Sequence, residues 1–382
     1  MALGDDLLAF DKDMNNGQGW NTTDPARDPI GGFMTTLSNN PDAATTFFSG
    51  PKGKEHVDYV AFEHRALISG ATELTGGTLR PHLDAFGDAI VAATTGRITT
   101  PAMAEALTNI VVDIGDKNSP QILDESPALR ASVTEMMAKN SDSLHLALTQ
   151  EDGTKDLNGI PQLTPTASIP REAMREVLAD LGPSNIEILK ETEERYTRAA
   201  MTIIGGDGFT LERQAQVKAF AQDSGEAFGV LDASVANEIR GTAAAADADK
   251  TASMDRRERW TNAAVNGLSA AATLTYALHL NSPVPPLPAL TANPLMALTI
   301  SLGTAGLNGL VGEGYDYFAD PTAATDAANE KVHNVYTDGQ IQMERTMKSW
   351  MEDNPAYANA KLTSDGGIGY TSILPAEVVT AR

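Results

Sequence analysis

Apolar positions recur every three or four residues along most of this chain, the spacing of helices that each bury one face. After Thr100-Pro101 the positions Met103, Leu107, Ile110 and Val111 fall on one side of a helix. After Ser126-Pro127 the positions Leu129, Val133, Met136, Met137, Leu144 and Leu148 do the same. Asn40-Pro41-Asp42 supplies a capping side chain, then proline at the first helical position, then an acid in the first turn. Ile169-Pro170 opens a further segment with Met174, Val177, Leu178 and Leu181, which Gly182-Pro183 closes. A longer periodic run from Leu211 to Ile239 carries Val217, Phe220, Ser224, Phe228, Leu231, Val235 and Ile239. Gly225 and Gly229 lie on a neighbouring row of that run, where another helix could come close. Alternation with period two is scarce, and only Ile368 to Val379 reads as extended. The pattern predicts an all-α fold. The polar stretch 151–167, rich in Gly, Pro, Thr and Asp, reads as a linker. The expected organisation is therefore an N-terminal helical domain at 1–150, a C-terminal helical domain at 168–353 and an irregular tail at 354–382.

One segment departs from the amphipathic pattern. The 53 residues between Arg259 and Glu313 contain no Asp, Glu, Lys or Arg, in a chain that is 21% charged. They divide into an arm at Ala263–Leu280, a rigid turn at Pro283–Pro288 and a second arm at Pro294–Val311, a helical hairpin without charges. Two physical readings compete for it. Helices that are apolar all round belong in the centre of a domain, which makes the hairpin core. Arms approaching the ~20 residues that span a bilayer make it a membrane-inserting device instead. Leu274, Leu280, Leu298 and Leu302 would form its core or its lipid-facing surface. Gly303, Gly306 and Gly309 recur every three residues, as small residues do where membrane helices pack. Asn266, His279, Asn293, Pro294 and Asn308 penalise insertion, so core is the favoured reading.

Charge narrows the partners. With 28 basic against 51 acidic residues the net charge is −23, a surface that repels nucleic-acid phosphates and anionic headgroups. Protein partners are expected and nucleic acid is not; a membrane is the lesser possibility, and oligomeric state is not legible. The absence of cysteine removes disulfides and thiolate metal sites. The beginning, Met1 to Asp11, lacks the basic and apolar regions of a signal peptide, so the expectation is a cytoplasmic product with a non-classical, type VII-like export route as the exception.

Candidate chemistry is thin. His56 with Asp58 and His82 with Asp84 form His-x-Asp pairs, and Glu55, Glu63 and His64 lie near the first. Residues two apart on a helix point in different directions, so the expectation is surface His and Asp with no shared task. Asp11 to Gly17 begins like a calcium loop, but Asn16 and Thr22 occupy the positions that need Gly and the bidentate acid. It reads as a solvated turn, as does Asp152 to Gly159. Gly205-Gly206-Asp207-Gly208 has the glycines of a phosphate loop without the Lys-Ser/Thr that completes one. No Gly-x-Ser-x-Gly elbow or cysteine nucleophile is present. No catalytic residue, metal site or cofactor is predicted. Tyr59-Val-Ala-Phe-Glu63 matches the Tyr-x-x-x-Asp/Glu signal of type VII secretion substrates, a match that eight tyrosines produce readily by chance; the accompanying Trp-x-Gly turn is missing.

The stretch Asp28-Pro-Ile-Gly-Gly-Phe33-Met34-Thr-Thr-Leu37-Ser-Asn-Asn-Pro41-Asp-Ala-Ala-Thr-Thr-Phe47-Phe48 resembles a signature of large, uncharacterised helical proteins of Streptomyces and related actinobacteria. So do Ala85 to Thr94 and Met103 to Ile110, and more weakly Arg175 to Gly182 with Tyr196. The resemblance implies a helical protein associated with Trp-x-Gly or type VII-like modules, suspected of export or of carrying polymorphic toxins, with no catalytic residues to transfer. Read with the residues, it makes Phe33, Met34, Leu37, Pro41, Phe47 and Phe48 a packing signature rather than a reaction site. Three functions follow as alternatives: a non-enzymatic helical module of an export or toxin-delivery system, a membrane-active protein inserting 263–311, and an enzyme whose site is dispersed along the chain.

Overall fold

A computed structural model of the chain describes residues 2–17, 29–64, 80–96, 99–116, 122–123, 126–150, 165–206, 208–248 and 323–374. The protein is all-α, with no strand among the described residues. The helices are α1 (Ala2–Gly17), α2 (Pro29–Ser38), α3 (Pro41–Phe48), α4 (Gly53–Asp58), α5 (Arg80–Thr94), α6 (Pro101–Asp116), α7 (Pro127–Lys139), α8 (Ser141–Thr149), α9 (Arg171–Leu181), α10 (Pro183–Gly205), α11 (Leu211–Ala248), α12 (Ala323–Asp353) and α13 (Leu362–Ile373). A single π turn, Tyr59–Glu63, continues α4.

Side chains start these helices where the sequence marks them. Asn40 Oδ1 accepts from the Ala43 amide, Thr100 Oγ1 from Met103, and Ser126 Oγ from Leu129, each satisfying a first-turn donor that the helix leaves open. Gly182, at φ +78°, ends α9 in a conformation that a side chain would resist. Helix α1 absorbs the calcium-like stretch Asp11–Gly17, so the solvated turn expected there is helix, and Asp11 is buried. Leu8 buries its side chain on the same helix, and the tertiary gain outweighs the turn-forming Asp and Asn residues that follow it.

Two compact units are present, residues 1–235 with 335–382, and residues 236–334. In the first, α5 is central, packed by α2, α3 and α7, while α4 and α9 lie on α6 and α10 lies on α7. This departs from the expected break at 151–167. Residues 151–164 lie outside the described residues, but Ala167 is buried, and its amide donates to Ser143 Oγ at 2.9 Å. Helix α9 then runs so close to α6 that a methyl on Gly115 would sit 2.5 Å from the Ala173 carbonyl oxygen. Met174, Val177, Leu178 and Leu181 need an apolar surface, and the N-terminal helices provide it. A loop-like composition marked a connection there, not a division of the core. The second unit is described only through the end of α11 and the start of α12. The charge-free hairpin, with Leu274, Leu280, Leu298, Leu302, Gly303, Gly306 and Gly309, lies outside the described residues.

The tail is also corrected. Residues 355–357 form a 3-10 turn and Leu362–Ile373 is a helix, where Ile368 onward reads as extended in the sequence. Glycine and β-branched residues disfavour helix locally; packing against α11 supplies what propensity does not. A methyl on Gly225 would lie 1.9 Å from the Gly366 carbonyl oxygen, and one on Gly369 would lie 1.9 Å from that of Gln222. The glycine row predicted on α11 is thus where a helix comes close.

Candidate functional site

The signature residues pack. Met34 and Leu37 of α2 and Phe47 and Phe48 of α3 are buried, while Phe33 is partly so. The Phe47 ring meets Phe33 edge-on at 5.2 Å and stacks on His56 at 4.2 Å; Phe48 meets Phe86 of α5 at 6.0 Å. Pro41 is exposed at the start of α3. It lines a shallow groove of about 370 Å³ with Ser38, Asp88, Val91, Ser132 and Glu135. Burial raises the Asp88 carboxyl above its ordinary value, with the like charges of Asp84 and Glu135 adding to it.

Four histidines are buried rather than on the surface, and none pairs with the aspartate two residues away. His56 is flanked by the Phe47 carbonyl oxygen, 2.6 Å from Nδ1, and by Asp5 Oδ1, 2.8 Å from Nε2. Hydrogen bonds from Lys52 and His56 hold the Asp5 carboxyl below its usual range. His64 Nδ1 lies 2.8 Å from Asp11 Oδ2, and the Tyr59 hydroxyl donates to that same oxygen. His82 stands beside His64 at 4.9 Å between ring centres, its Nε2 2.9 Å from the Val60 carbonyl oxygen.

The π turn makes the Asp11 junction possible. Its hydrogen bond runs from the His64 amide to the Tyr59 carbonyl, closing over five residues rather than four. Residues five apart diverge by about 140° on an α-helix. Here the wider turn brings both to one carboxylate. Tyr59 is therefore buried, so in the folded chain its side chain is not presented for recognition as an export signal would be.

A second cluster joins α8, α10 and α11. His145 Nδ1 is 2.6 Å from Glu193 Oε1, and the Thr197 hydroxyl lies 3.3 Å from that oxygen and 3.2 Å from Ser224 Oγ. The imidazole stacks on Phe220 with ring centres 4.9 Å apart. Burial alone would lower the His145 pKa, but the charge and hydrogen bond of Glu193 outweigh it, with Asp223 and Asp142 adding, and the value is raised. Burial likewise pushes the neighbouring Tyr196 phenol up.

A third cluster joins α10, α11 and α13. Lys190 Nζ lies 2.9 Å from Asp232 Oδ1 and 3.6 Å from Glu187 Oε2, and the Tyr370 hydroxyl donates to Asp232 Oδ2 at 2.6 Å. Burial would lower the lysine, but the two carboxylates outweigh it and hold the ammonium above its ordinary value. Gly339 of α12 closes over the carboxylate: a methyl there would lie 1.6 Å from Asp232 Oδ2.

Sequence reading missed all three clusters, because their partners stand 42 to 138 residues apart. The acidic partners leave no local pattern; the one available signal is an ionisable residue on an otherwise apolar helical row, as His145 and Ser224 are. Among the described residues no group of three His, Asp or Glu is arranged to hold a metal ion. Of the phosphate-loop-like glycines, Gly205 closes α10 and Gly206 turns the chain at φ +51°. The Gly208 carbonyl oxygen accepts from Arg213 at 2.9 Å, which serves the turn rather than a ligand. No family model, curated protein or solved structure matches the chain.

Proposed function

We propose that the chain is a non-enzymatic helical module of an actinobacterial export or toxin-delivery system, acting through protein–protein contacts. The observation that carries the non-enzymatic part is the burial of its convergent ionisable groups. Glu193 and Asp232 are 0% exposed, and Asp11 and His145 are 1% exposed. Each faces a partner from a distant helix, which joins helices, whereas a reactive group must meet substrate. The signature residues support the delivery part only by resemblance, since they serve the core. The test is export of the tagged full-length chain in an actinobacterial host. Its appearance in culture filtrate should depend on an intact type VII apparatus; equal amounts with the apparatus disrupted, or retention in the cells, would overturn delivery.

A second reading rests on the 53-residue charge-free run, which suits a hairpin that enters lipid after a trigger. Among the described residues no helix is long and apolar enough to cross a membrane.

A further inference from the structure

Helix α13 sits on α11 and α12 by backbone contact more than by side chains. Its buried residues are Leu362, Gly366, Gly369 and Tyr370, while Ile368 is 56% exposed. Three glycines, Gly366, Gly367 and Gly369, give it little tendency to be helical by itself. It starts at Lys361, whose φ of +55° is the sole left-handed conformation outside glycine among the described residues. The receiving surface is shaped independently. Gly225, Gly229 and Gly339 leave room for a backbone, and at its centre Asp232, held by Lys190, waits for a hydroxyl donor. A helix that is weak alone, hinged on a strained residue, occupies a groove whose own walls are firm.

We propose that α13 is a displaceable strap, and that the groove on α11 and α12 receives a partner helix presenting the same chemistry, Gly-x-x-Gly-Tyr. The glycines admit the partner backbone and the tyrosine hydroxyl bonds Asp232, a helix-in-groove mode with a polar centre. This deepens the protein-contact reading and rests on it. Binding in the groove is measured without export, so either can fail alone.

Native-state hydrogen exchange on the full chain should show the α13 amides exchanging at least tenfold faster than those of residues 221–232 of α11; equal protection would overturn the strap. A fluorescent peptide of residues 362–374, the probe for a partner helix, should bind the full chain saturably. Binding should strengthen at least tenfold when the resident helix carries Gly369→Leu, which drives a side chain into the Gln222 carbonyl. It should vanish when the peptide carries that change. If Gly369→Leu unfolds the chain, Tyr370→Phe in the resident helix replaces it, removing only the bond to Asp232. Failure of the peptide to bind either chain, or equal binding of the altered peptide, would overturn the groove. A concentration-dependent dimer that the peptide dissociates would overturn a foreign partner in favour of a second copy's α13.

Discussion

Nδ1 of His145 lies 2.6 Å from Oε1 of Glu193, and neither side chain reaches water. With the imidazole pKa raised, the folded state binds its proton more tightly than the unfolded chain does. The contribution to stability is complete below the ordinary imidazole value, about 6.5, and is lost as pH rises through the folded value. The stability advantage of wild type over His145→Gln should therefore be largest near pH 6 and shrink towards pH 9. Thermal unfolding of both chains across that range checks it. An advantage that stays constant would mean the ring is held neutral.

Lys190→Met should destabilise the first unit by about 3–5 kcal/mol, because it strands the Asp232 carboxylate in a closed interior. Adding Asp232→Asn should recover part of the loss, since an amide keeps an acceptor for Tyr370 without a charge. Denaturant unfolding of the single and double variants measures the coupling. Simple additivity would show the pair contributes nothing as a pair.

Phe47→Ala removes a ring that Phe33, Phe48 and His56 all touch. A loss of about 3–5 kcal/mol is expected from the cavity and the missing contacts. A variant as stable as wild type would detach the signature from packing and return it to binding.

Gly115→Ala should cost more than the ordinary exchange of a helical glycine, which on propensity alone gains about 1 kcal/mol. The added methyl has no room between α6 and the Ala173 backbone. Stability at or above wild type would mean that α9 does not press on α6, and would restore the division of the chain at 151–167.

Dye-loaded anionic liposomes should not leak at pH 7 or at about pH 4.5, near the ordinary carboxyl value of Glu. The arms of the charge-free hairpin carry Asn266, His279, Asn293, Pro294 and Asn308, which make lipid a poor solvent for them. Leakage at the lower pH alone would establish the membrane reading, with protonated carboxylates relieving repulsion from the surface.

What the sequence reveals follows the range over which each force acts. Caps at Asn40, Thr100 and Ser126 were legible because donor and acceptor lie three residues apart. The apolar row from Val217 to Leu231, with its glycines alongside, was legible because a helix repeats its own geometry. The bonds of Asp11 to His64 and of His145 to Glu193 were not, since their sequence separations are 53 and 48 residues and nothing periodic links them. Helix α13 was misread because its local preference is overruled by a neighbour that only the fold supplies.

The π turn at Tyr59–Glu63 has a consequence for how this chain can vary in length. Insertions and deletions are ordinarily absorbed by loops, and the interior of a helix tolerates substitution better than a change of count. Here a chain one residue shorter within 59–63 could close into regular α-helix. All that precedes the deletion would then be out of phase by about 100° with all that follows. Tyr59 or His64 would swing away from Asp11, since the two could no longer share its carboxylate. At this turn the number of residues, and not only their identity, is under selection.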